Sequence, residues 1–89
     1  MASPREDAKA RAREIAKALH MLYGRPPSIT WTEEGHLRVS LRLTEQPDEA
    51  LTMATLRVME QGDRYGHINR LDWQAIWTDV HVKMPEEKQ

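Results

Sequence analysis

The sequence predicts an α+β fold: two helices packed on one face of a three- or four-stranded antiparallel sheet, in the order α-β-β-α-β(-β). Three observations carry that prediction. They are a capped amphipathic segment at the start, the strictly alternating stretch LRVSLRL, and an aromatic and β-branched run before the C-terminus.

The first helix is the best-specified element. Ser3-Pro4-Arg5-Glu6 supplies an N-cap hydroxyl, a proline at the first helical position and a glutamate three residues after the cap, the pattern of a capping box. Gly24 suits the left-handed stop conformation, and Pro26-Pro27 forbids continuation, so the helix is expected over residues 4–23. Ala8, Ala12, Ile15, Leu19 and Leu22 recur at helical spacing and draw a single core-facing stripe.

In the following segment, Leu37, Val39, Leu41 and Leu43 alternate with Arg38, Ser40 and Arg42, the period of a strand covered on one face only. Ile29 and Trp31 alternate with Ser28, Thr30 and Thr32, and Glu33-Glu34-Gly35-His36 connects the two runs as a hairpin. Arg38, Ser40 and Arg42 are then expected on the sheet face away from the helices.

Thr44-Glu45-Gln46-Pro47 is read as the opening of a second helix that ends before Gly62. Ala50, Leu51, Ala54 and Val58 form one apolar side, while Met53, Leu56 and Met59 fall on others, so the helix is expected either to be sandwiched or to supply an interface. Residues 73–82 read as a strand with Trp73, Ala75 and Trp77 on one side and Ile76, Val80 and Val82 on the other. That division implies cover on both faces or a bulge between Trp77 and Val80. A short strand over residues 65–68 would complete a second hairpin.

Eighty-nine residues, 39% hydrophobic and 30% charged, suit one domain over residues 1–83 with a frayed tail over 84–89. So short a chain buries only about 60 to 65% of its unfolded surface, and a partner or a second copy would stabilise it. With no cysteine there is no disulfide framework and no thiolate zinc site, which suits the cytoplasm. MASPREDAKA has no apolar stretch behind its charges, and no run approaches a membrane span of about 18 apolar residues. Thirteen Lys and Arg against fourteen Asp and Glu leave a charge of −1, so any nucleic-acid site must be a local patch.

The stretch GDRYGH brings Asp63, Arg64, Tyr65 and His67 close together, residue types used in acid–base chemistry. No nucleophile, Gly-rich loop or paired-carboxylate motif accompanies them, so the expectation is non-enzymatic: a helix stop, an ion pair or cap, a core tyrosine and a bend. His20, His36, His67 and His81 form no HxH or HxxxH pair. Asp79, His81 and His67 would make a metal set only in one particular register, so no metal and no cofactor are expected.

Lys9, Arg13 and Lys17 repeat every four residues on the first helix, extended by Arg5 and Arg11, and form a stripe that could track phosphates. Glu6, Asp7 and Glu14 share that helix, and an Asp7–Arg11 pair favours a plain solvated face. Trp31 and one of Trp73 and Trp77 are expected in the core, the other tryptophan at an interface. Met53 and Met59 are expected as core filler first and binding surface second.

GDRYGH followed by a Trp-containing strand ending in TDV resembles a pattern in short uncharacterised proteins of actinobacteria and their phages or plasmids, over residues 50–82. The resemblance implies a mobile-element or accessory role and no established activity.

The leading expectation is a small protein-interaction module that binds itself as a dimer, or another protein, through Met53, Leu56, Met59, Trp73 and Trp77. The alternative is a DNA-binding regulator using Lys9, Arg13, Lys17, Arg38 and Arg42 with a winged-helix-like hairpin.

Overall fold

A computed structural model of the chain describes residues 3–83. The tail expected over 84–89 lies outside the described residues.

Helix α1 spans Pro4–Tyr23, and Ser3 accepts the Glu6 N–H at 3.1 Å as its N-cap. The Glu6 carboxylate is taken up by Lys9, at 3.3 Å. At the other end Gly24 turns left-handed (φ 73°) and donates to the His20 carbonyl. Of the predicted stripe, Ala8, Ala12, Ile15 and Leu19 are each at most 2% exposed, while Leu22, in the last turn, is only half-buried.

Strands β1 (Ser28–Trp31) and β2 (Leu37–Leu43) form the expected antiparallel hairpin, closed by Gly35 at φ 83°. Helix α2 (Glu49–Met59) begins later than Thr44-Pro47 suggests. Asp48 is its cap: the carboxylate accepts the Leu51 N–H at 2.8 Å, which leaves Pro47 outside the helix.

Strands β3 (Arg64–Asn69) and β4 (Gln74–Val80) complete a four-stranded antiparallel sheet of order β1-β2-β4-β3. Residues 65–68 therefore do form a strand. The β2–β4 register is continuous across Trp77 to Val80, so there is no bulge, and Val82 lies beyond the strand. Gly62, expected as a helix stop, is required for another reason: a Cβ there would collide with the Thr78 side chain and the Asp79 carbonyl.

The core lies between α1 and the sheet, where Leu37, Val39, Leu41, Leu43, Ile76 and Val80 present one face. Helix α2 adds Met59 and buries Thr55 rather than the predicted Ala50–Ala54 side; Ala50 is exposed. A buried threonine is tolerated because its hydroxyl bonds the Leu51 carbonyl and the Tyr23 hydroxyl, both at 2.7 Å. Thr78, also buried, reaches the Met59 and Arg64 carbonyls at 2.9 and 3.1 Å, tying the end of α2 to β3 and β4.

Trp31 does not enter the core. It is paired with Leu37 on the helix side of edge strand β1 but stays 43% exposed, beyond the cover of α1, with the Arg5 guanidinium 4.6 Å from its ring centroid. Tyr65, expected to anchor the core, is likewise on an edge strand and 45% exposed.

Candidate binding face

The alternation that buries Leu37, Val39 and Leu41 sends Arg38, Ser40 and Arg42 to the opposite, uncovered side of β2. The β2–β4 register places Asp79, Trp77 and Ala75 directly beside them, and the β3–β4 register adds Arg64, Gly66 and Ile68. Three cross-strand rows result: Arg38–Asp79–Arg64, Ser40–Trp77–Gly66 and Arg42–Ala75–Ile68.

In the first row Asp79 is held by two prongs from Arg38, Nε to Oδ1 at 2.7 Å and Nη2 to Oδ2 at 2.9 Å. The Asp79 side chain is only 4% exposed. The hydrogen bond to Asp79 raises the Arg38 pKa against the opposing effect of burial, with the charges of Asp79 and Glu34 adding to the rise. A buried carboxylate needs such a partner, because leaving it alone in a low-dielectric setting costs several kcal/mol.

In the second row the Trp77 indole lies against Gly66, where an added Cβ would stand 2.6 Å from Cζ2. Arg38 and Arg64 flank the ring, their guanidinium carbons 4.2 and 5.8 Å from its centroid. Next to the third row Arg42 lies 4.8 Å from the Trp73 ring centroid. Both tryptophans are half-buried, and both belong to this face. The expectation of one core and one surface tryptophan among them is replaced by two half-buried indoles on the open sheet face, each beside an arginine.

Arg42 and Arg64 form no ion pair among the described residues. Ser28 and Thr30, whose β2 neighbours are Ser40 and Arg38, continue the face onto β1 with exposed hydroxyls. The surface is thus cationic, aromatic and hydroxyl-bearing at once.

The comparisons supply no relative. No family model, curated protein or solved structure matches the chain.

The other predicted site residues lie elsewhere. Lys9, Arg13 and Lys17 are on α1, on the opposite side of the sheet from Arg38 and Arg42, so the two halves of the predicted basic surface do not meet. Arg11 pairs with Asp63, at 3.4 Å, in place of the expected Asp7. The β3–β4 hairpin is no free wing, since β4 is an interior strand. On α2, Met53 is 49% exposed and Leu56 partly buried, whereas Met59 is 4% exposed and belongs to the core. At the end of α2 the Thr78 hydroxyl also donates to the Met59 backbone carbonyl. The predicted interface therefore divides between two faces of the molecule.

In the reactive-looking GDRYGH stretch Arg64 and Gly66 belong to the open face, while Asp63 and His67 make structural contacts. Asp63 accepts the His81 N–H at 2.8 Å; burial pushes its carboxyl up, but that bond and the charges of Arg11, His81 and Lys83 outweigh it and hold it below its ordinary value. His67 pairs with Gln74 at 2.8 Å, and Gln74 donates to Gln46. Asp79 and His67 point to opposite sides of the sheet, and His81 stacks on His36 with centroids 4.2 Å apart. Among the described residues no three His, Asp or Glu stand together as a metal set.

A cleft of about 290 Å³ separates α2 from the sheet, floored by Leu43, Leu56, Met59 and Ile76. Its polar rim is satisfied internally by the Tyr23–Thr55 and His67–Gln74–Gln46 bonds. Small-molecule sites aim a few convergent polar groups at the ligand, and here those groups face each other.

Arg64 and Gly66 were not singled out as partners of the tryptophans in the sequence. The signal was present as an Arg-x-Gly-x-Ile alternation matching Ala-x-Trp-x-Asp in reverse, but reading it requires the β3–β4 register.

Proposed function

We propose that this chain is a non-enzymatic binding module that recognises another macromolecule through the open face of its sheet. The observation that carries this reading is the face itself: Trp73 and Trp77 beside Arg42, Arg38 and Arg64 on a sheet side over which no helix lies among the described residues. Tryptophan and arginine are the residues that most often dominate binding energy at interfaces, and Asp79 holds Arg38 in place before any partner arrives.

Self-association through this face is disfavoured, because it would set Arg42 and Arg64 of one copy against those of the other. Helix α2 offers a smaller alternative, reduced to Met53 and part of Leu56. No helix among the described residues is long and apolar enough to cross a membrane, so the partner is sought among macromolecules rather than in the bilayer core. An accessory role in a mobile element, as the GDRYGH resemblance implies, would need no catalytic centre and accords with a binding module.

A photo-crosslinking amino acid placed at Thr30, on the open face, and separately at Arg13 on α1 and Met53 on α2 tests the reading in the host cell. Adducts confined to the Thr30 variant are expected. Adducts confined to Arg13 or Met53 would move the binding surface elsewhere.

A further inference from the structure

We infer that the partner of the open face is single-stranded nucleic acid, bound with little sequence preference. The inference rests on the sheet face being the binding surface and specifies its occupant.

Charge selects the class first. Asp79 is committed to Arg38, while Arg42 and Arg64 have no carboxylate partner among the described residues, so the face meets an incoming chain as a cation. The whole chain carries −1, so the attraction is local to this patch.

Aromatic geometry narrows it further. Trp73 and Trp77 are four residues apart along an extended chain, about 13 Å at the usual rise per residue, so the two arginine-capped indoles stand far enough apart for each to meet its own base. Bases stack on indole and on guanidinium planes alike, and the face alternates the two in the pairs Arg38–Trp77 and Arg42–Trp73. The hydroxyls of Ser28, Thr30 and Ser40 line the adjoining strands, within the reach of sugar and base edges that an unpaired strand exposes. An acidic peptide would use the arginines but has no counterpart for two separated aromatic planes.

Shape argues against the duplex. Four strands spaced about 4.8 Å apart make the face about 14 Å wide. The major groove of B-form DNA is about 12 Å wide and admits a helix or a two-stranded ribbon, and the outer strands β1 and β3 would strike the phosphate walls. A single strand laid across the face meets no such obstacle.

The test uses the full chain with a fluorescein-labelled mixed-sequence 12-nucleotide DNA and its RNA equivalent, the matching duplex, and poly-L-glutamate. Anisotropy and tryptophan emission are read together across a salt series. The single strand is expected to bind, to quench tryptophan emission and to outcompete the duplex at least tenfold. The Arg42→Ala/Arg64→Ala variant, which touches only exposed side chains, is expected to bind at least tenfold more weakly. Its salt dependence should fall by about 0.7 in log–log slope for each phosphate contact removed.

Binding of poly-L-glutamate but not of the oligonucleotides, weakened in the same double variant, would overturn the nucleic-acid assignment and leave the sheet face as the site. Oligonucleotide binding unchanged in that variant but lost in a Lys9/Arg13/Lys17 triple Ala variant would overturn both. Binding of neither probe by the folded protein would overturn the nucleic-acid assignment.

Discussion

Arg38 and Asp79 stand opposite each other on β2 and β4 and close a two-pronged ion pair at 2.7 and 2.9 Å. The two partners are unequal, since the Arg38 side chain is 37% exposed and that of Asp79 is 4% exposed. Arg38 has water as an alternative partner; Asp79 does not.

That inequality predicts an asymmetric response to truncation. Arg38→Ala, which strands a buried carboxylate, is expected to cost about 2 to 3 kcal/mol, the low side of the range for broken buried pairs because the site is partly wet. Asp79→Ala is expected to cost about 1 kcal/mol, since the released guanidinium turns to solvent. Urea midpoints of the two variants measure the difference, and equal losses would show that the exposure of Arg38 gives it no relief.

Gly66 makes room for an indole on the neighbouring strand. Gly66→Ala places a Cβ 2.6 Å from Trp77 Cζ2 and 2.8 Å from Cε2, so the ring must tilt away. A loss of about 1 to 3 kcal/mol, the usual cost of overpacking, is expected together with a changed near-UV circular dichroism band from tryptophan. An unchanged band would place the ring elsewhere.

The Thr78 hydroxyl shares one proton between the Met59 and Arg64 carbonyls in a fully buried setting. Thr78→Val keeps the shape and removes that donor, leaving carbonyl oxygens short of a partner, and is expected to cost about 1 to 3 kcal/mol. Hydrogen exchange should report faster opening at the end of α2 and in β3 than in α1.

Asp63 governs the acid response of the α2–β3 corner. Its carboxyl is held below the ordinary 3.8, so the charged form stabilises the fold at pH values above that figure and the benefit fades as pH falls through the lowered folded value. The stability difference between wild type and Asp63→Asn, which retains an acceptor for the His81 N–H, should be present at neutral pH and vanish in strong acid. A difference that persists unchanged in acid would mean that the charge contributes nothing.

Much of this architecture was legible because its signals are local. Ser3, Pro4 and Gly24 delimit α1 by cap chemistry, and the period-two alternation of residues 37–43 divides core from open face before any partner strand is known. The placement of Trp31 was not legible, because it depends on how far α1 reaches over edge strand β1. Thr55 hid the true core side of α2, since a hydroxyl reads as polar until Tyr23 and the Leu51 carbonyl are seen to satisfy it. The candidate face was legible by halves: Arg38 and Arg42 followed from alternation, whereas Arg64, Gly66 and Asp79 join them only through strand registers that residue order does not contain.

The three tryptophans provide the most direct measurement of the central claim. Trp73 and Trp77 lie on the open face and Trp31 on the opposite side of the sheet, so each indole N–H reports one surface. In a nitrogen-15 NMR titration with a single-stranded 12-nucleotide DNA, the Trp73 and Trp77 indole signals are expected to move together while that of Trp31 stays in place. Movement of Trp31 with Trp73 and Trp77 unperturbed, or amide shifts gathered along α1 alone, would contradict the account.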